Sequence, residues 1–100
     1  MFALPDKTAA EIVIVTFGFG DEVPAGVTLS NAVVNVTLLS GNDPGVSLTK
    51  GGIVYQDRDV CVLVQGGIEG CKYELYCAVD TSAGEHRERQ ASLRISAAAV

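Results

Sequence analysis

The side chains here most able to do chemistry are Cys61, Cys71, Cys77 and His86, with Asp57, Asp59 and Glu69 as nearby carboxylates. Cys71 and Cys77 fall on one alternating stretch. A strand rises about 3.3 Å per residue, so six residues separate them by about 20 Å. A disulfide needs its two Cα atoms within about 7 Å, so this pair can neither bond nor share a metal. Cys61 is able in principle to meet one of them across neighbouring strands. An odd thiol count without a secretion signal argues against a disulfide design. Zinc needs about four ligands, and three cysteines plus His86 are the whole supply, one of them out of reach. Buried cysteines behave as small hydrophobes, and the expectation is that these thiols pack.

The remaining candidates are equally thin. His86, between Glu85 and Arg87, has the chemistry of a general base or a pH switch, but no nucleophile accompanies it, and a solvated loop histidine is expected. Asp57 and Asp59 with Glu69 lack the dense oxygen spacing of a calcium loop. GGIEG, 66–70, looks like a phosphate cradle, yet a strand follows it where a P-loop needs a helix and a Lys-Ser/Thr pair. Gly66, Gly67 and Gly70 are therefore expected to be turn residues. No cofactor, metal or catalytic site is expected, and the chain reads as a non-enzyme.

What must position these residues is a set of short strands. Over 71–79, Cys71, Tyr73, Leu75, Cys77 and Val79 share one face, and Lys72, Glu74, Tyr76 and Ala78 the other: period 2. TSAGE, 81–85, reads as a hairpin loop, and the return strand turns Ala91, Leu93 and Ile95 inward. Tyr73, three residues after Gly70, sits where Ig-like sandwiches place a tyrosine corner; a plain core tyrosine is the other reading. Upstream, EIVIVTF is apolar on both faces, so periodicity does not choose between Ile12, Ile14, Thr16 and Val13, Val15, Phe17. VTLSNAVVNVTLLS, 27–40, breaks near Ser30-Asn31. GNDPG, 41–45, is the strongest turn signal, and Lys50-Gly51-Gly52 reads as a second turn.

The fold expected is all-β: an Ig-like antiparallel β-sandwich of about seven strands over 11–96, preceded by an extended arm, 1–10, and followed by an apolar tail, 97–100. With 48% hydrophobic and 19% charged residues the chain is globular rather than disordered. Its net charge of −5 repels phosphate backbones, so nucleic acid is not an expected partner. MFALPDKTAAE has no basic n-region and no apolar run approaches a membrane span, so synthesis in a cytoplasm without membrane contact is expected.

VPAGVTL (23–29), VQGGIEGCKYELYCAV (64–79), TSAGEHRERQASLRI (81–95) and FALPDKTAAEIV (2–13) together resemble a family of small tailed-bacteriophage structural proteins, the fiber–tail adaptor or head–tail neck proteins. Where its members carry aromatics after the first strand, often a Trp, this chain has Phe17 and Phe19. Residues 30–58 match none of these motifs. The resemblance implies an Ig-like virion component, in the tail or neck, that forms rings and bridges other virion proteins or anchors a fiber. Exposed sheet edges in such an assembly can be covered by a strand from a neighbour. Phe2, Leu4, Val13, Val15 and Phe17 are the expected partner contacts; Tyr73, Gly66, Gly67, Gly70, Cys71, Leu75 and Cys77 are expected to be structural. A capsid decoration protein is a competing reading. A host-surface or carbohydrate-binding module is another, weakened because Tyr55 and Tyr76 are the only expected surface aromatics.

Overall fold

Strands form wherever β-branched and aromatic residues alternate, and the chain is cut wherever glycine, proline or aspartate supplies a turn. A computed structural model describes residues 2–21, 23–56 and 58–97, with only the backbone of Phe2. The expectations placed on Asp57, on the Phe2 side chain and on tail residues 98–100 lie outside the described residues.

Eight strands and no helix appear among the described residues: β1 (Phe2–Ala3), β2 (Lys7–Thr8), β3 (Ile12–Gly18), β4 (Leu29–Ser40), β5 (Leu48–Gln56), β6 (Asp59–Gly66), β7 (Lys72–Thr81) and β8 (His86–Ser96). They make two sheets. One runs β1-β8-β7-β4, with β2 also on β8; the other runs β3-β6-β5. β7–β8 and β5–β6 are antiparallel hairpins, and β3 and β4 pair antiparallel with β6 and β7.

A single apolar core lies between the sheets. Val15, Phe17, Leu48, Val60, Val62 and Val64 come from the small sheet; Val34, Tyr73, Leu75, Cys77, Val79, Ala91, Leu93 and Ile95 come from the large one. The period-2 stretch at 72–81 is thus the central strand of the large sheet, with Tyr73, Leu75, Cys77 and Val79 inward.

The first residues lie along the large sheet: β1 and β2 run parallel to β8, Phe2 opposite Ala91 and Lys7 opposite Ile95. This also makes the large sheet mixed rather than purely antiparallel. Lys7 anchors the segment: its side chain is 1% exposed and its ammonium donates to the Gly66 and Thr8 carbonyls at 2.6 and 2.8 Å. One expected turn needs correction: Lys50-Gly51-Gly52 is not a turn. It lies inside β5, as a register irregularity between Lys50 and Ile53. A Cβ on Gly51 would stand 3.2 Å from the Leu63 Cβ, so the glycine admits a close cross-strand approach instead of reversing the chain. Val15 and Phe17, expected as partner contacts, are buried on the core side of β3.

The break at Ser30-Asn31 is a bulge. Asn31 takes a left-handed φ of 52°, and the register with β7 shifts between Ser30 and Val33.

Candidate docking surface of the three-stranded sheet

In β3 the inward parity belongs to Val15 and Phe17, because these face the β8 and β7 side chains across the core. The other parity points to water. Ile12 and Ile14 are 60% and 69% exposed; beside them stand Leu63 of β6 at 40% and Val54 of β5 at 58%. Ile14 is opposite Leu63, Thr16 opposite Cys61, and Val54 opposite Cys61, so these residues tile one face without a charged side chain among them. A shallow depression of about 370 Å³ crosses it, between Ile14, Val54, Cys61 and Leu63. Isolated exposed apolar residues are ordinary, but a contiguous apolar patch marks an interaction surface.

Of the expected partner contacts, Val13 is half-buried and Leu4 packs on the core margin, its amide donating to the Ser92 carbonyl at 2.8 Å. The exposed parity, Ile12 and Ile14, is the one that sequence periodicity left undecided. The missing signal is long-range: only the register with β6 fixes which face meets the second sheet.

The outer face of the large sheet carries a polar cluster. On the large sheet Asp80, His86, Glu88 and Tyr76 form a chain: His86 Nδ1 lies 2.9 Å from Asp80 Oδ1, His86 Nε2 3.5 Å from Glu88, and the Tyr76 hydroxyl donates to Glu88. His86 begins β8 rather than lying in the loop. The hydrogen bond to Asp80 raises its pKa, helped by the charges of Asp80 and Glu88. Asp80 is held low by His86 and by Asn31.

The polar group that was not foreseen is Asp43. Its Oδ2 accepts from the Tyr73 hydroxyl at 2.6 Å and from the Ser47 amide and hydroxyl at 2.7 and 2.8 Å. The Tyr73 hydroxyl in turn accepts from the Ile68 amide at 3.0 Å. The Tyr73 bond, then the Ser47 amide, hold the Asp43 carboxyl below its usual pKa. Burial, and then the bond to Asp43, push the Tyr73 phenol up. One satisfied network thereby ties the 41–47 turn to the 66–71 turn. In the latter turn Gly66, Gly67 and Gly70 all have positive φ. A Cβ on Gly67 would fall 2.8 Å from Ile95 Cγ1, and one on Gly66 2.6 Å from the Ser47 carbonyl oxygen. These glycines serve the turn, and a strand follows them.

All three cysteines are free; Cys71 and Cys77 are buried, and burial raises the Cys77 thiol to about 11. Cys61 lies on the apolar face, its Sγ 3.6 Å from the Thr16 hydroxyl. No cluster of three or more metal-ligating side chains occurs among the described residues.

Residues 7–94 match the family described as Podophage GP4 fiber-tail adaptor protein gp77. The chain belongs to this family. The match begins at the buried Lys7 and includes 30–58, the stretch no sequence motif reached. No curated protein matches the chain. Membership in the fiber-tail adaptor family gives the chain a structural role in a phage tail.

Proposed function

We propose that this protein is a non-enzymatic adaptor of a podophage tail, which joins tail fiber to tail through the outward face of β3, β6 and β5, apolar in its middle with Asp59 at one end. The observation that carries this is the coincidence of an adaptor-family match over 7–94 with the exposed apolar patch at Ile12, Ile14, Val54 and Leu63. Apolar side chains at such exposure are stabilised when a partner removes them from water, at about 25 cal/mol per Å².

The fold is read as Ig-like. β3-β6-β5 and β4-β7-β8 take the places of strands B-E-D and C-F-G, and Tyr73 starts the F-equivalent strand with its hydroxyl on the Ile68 backbone. Leu75 then occupies the position two residues after the corner tyrosine, where antibody domains carry a cysteine. Adaptors of this kind work as rings in the tail or neck, with each copy touching its neighbours and made in the host bacterial cytoplasm before assembly.

The test is electron microscopy of intact particles carrying a C-terminal tag. Label confined to the tail or neck is expected. Label spread over the shell would replace the adaptor by a decoration protein, and unlabelled particles would remove the protein from the virion.

A further inference from the structure

Sheet margins are normally kept from pairing with other chains by shortness, lysine, proline or bulges. Three margins here follow that rule. β1 and β2 have two residues each, with Pro5 between them. β4 carries the Asn31 bulge. β5 carries Lys50 and the irregularity that follows it.

β3 has none of these. Its seven residues, IVIVTFG, contain no charge and no proline, and their register with β6 runs unbroken from Ile12 to Gly18. Among the described residues β3 pairs with β6 alone. Because β1 and β2 both lie on β8, the N-terminal segment leaves this edge uncovered. A cleft of about 310 Å³ runs between β3 and the Leu4–Lys7 segment, lined by Leu4, Pro5, Val13, Val15 and Leu93. Asp6 and Lys7 border it too, but Asp6 is exposed and the Lys7 ammonium is turned onto the Gly66 carbonyl.

We propose that this edge and cleft accept an extended, uncharged segment of a partner polypeptide, which adds a fourth strand beside β3. Backbone donors and acceptors along an open edge are satisfied only by another strand or by water. Side chains of an added strand alternate: one set enters the cleft against Val13, Val15 and Leu93, and the other lies beside Ile12 and Ile14. Both environments are apolar, so a charged segment is rejected by desolvation.

Area decides against edge-to-edge pairing of two β3 strands. Seven residues span about 23 Å and a sheet with its side chains is about 10 Å thick, so two β3 edges meeting would hide roughly 230 Å² each. A stable dimer needs about 800 Å² per partner. An inserted segment buries the same edge and adds the side chains that enter the cleft, and the partner's remaining mass contributes beyond it.

The proposal rests on the adaptor reading for the partner's identity, but its test needs no particle. The probe is a seven-residue peptide of alternating threonine and valine with blocked ends, added to the full chain and followed by amide shifts and hydrogen exchange. Shifts at 12–18, Leu4 and Leu93, with about tenfold slower exchange of β3 amides, are expected. Ile14→Lys places a charge on the edge at an exposed position; it is expected to weaken binding about tenfold or more, with the melting temperature unchanged. A backbone N-methylated peptide keeps the side chains and loses the donors, and it is expected not to bind. Equal binding of the N-methylated peptide, or shifts confined to Val54 and Leu63, would overturn edge pairing in favour of the open face. Absence of binding up to about 1 mM, or a β3-mediated dimer of the chain alone, would also overturn it. Each of those outcomes leaves the tagged-particle result intact, so the two readings fail separately.

Discussion

Replacing Tyr73 by Phe removes one oxygen from a closed network and leaves the ring where it packs. The hydroxyl donates to the Asp43 carboxylate and accepts from the Ile68 amide. A hydrogen bond to a charged group contributes about 1.5–3 kcal/mol and a neutral one about 0.5–1.5 kcal/mol, so Tyr73→Phe is expected to cost about 2–4 kcal/mol. Little cavity cost adds to this, because only the oxygen is lost. For a chain of this size a destabilisation of that order lowers the melting temperature by roughly 10–20 °C. Urea unfolding followed by far-ultraviolet circular dichroism measures it, with an unchanged slope expected since the same surface is exposed. The pH dependence has a definite sign. Asp43 has a depressed pKa in the folded state, so its contribution is present above the ordinary aspartate value near 3.8 and is lost as pH falls through the depressed one. The gap between the parent and Tyr73→Phe is therefore constant from pH 7 to about 5 and narrows below about 4. A loss under about 0.5 kcal/mol, or a gap that does not narrow in acid, would refute a working Asp43–Tyr73 bond.

Gly67→Ala is expected to cost roughly 2–4 kcal/mol, from the positive φ of 95° and the 2.8 Å approach to Ile95, read by the same unfolding experiment; a cost within 0.5 kcal/mol of zero would contradict the turn geometry. His86 is expected to titrate above 6.5 by NMR and to move back toward that value in Asp80→Asn, since Asp80 is the first cause of its shift. In iodoacetamide at pH 8, Cys61 is expected to react in the native protein while Cys71 and Cys77 wait for unfolding; mass mapping of a native-state adduct on Cys77 would contradict its buried, high-pKa thiol.

How far the sequence carried depends on how local each signal was. The alternation from Cys71 to Val79 needs only its own residues to be read, and the central strand of the large sheet lies where that alternation put it. Gly66, Gly67 and Gly70 announce a turn by composition alone, and their positive φ values agree. EIVIVTF carries no such internal evidence, since both parities are apolar. Its orientation comes from β6, 41 to 53 residues away, so its own residues do not show that Val15 and Phe17 take the inward parity. Lys50-Gly51-Gly52 has turn composition but sits opposite Leu63, where missing side chains relieve crowding rather than reverse the chain.

Lys7 and Asp43 were invisible for a related cause. Both are charged, and both lie in stretches read as arm or turn, yet each is buried. What makes burial tolerable is a set of partners distant in sequence: the Gly66 carbonyl for Lys7, and Tyr73 for Asp43. Both partners belong to the 66–73 segment. One turn therefore holds the N-terminal segment onto β8 through Lys7 and the 41–47 turn through Tyr73. Holding residues 7–8 on β8 is also what keeps them off β3. The same buried lysine that orders the first strands holds them away from β3, so the fold's internal tether and its proposed acceptor edge meet in a single placement.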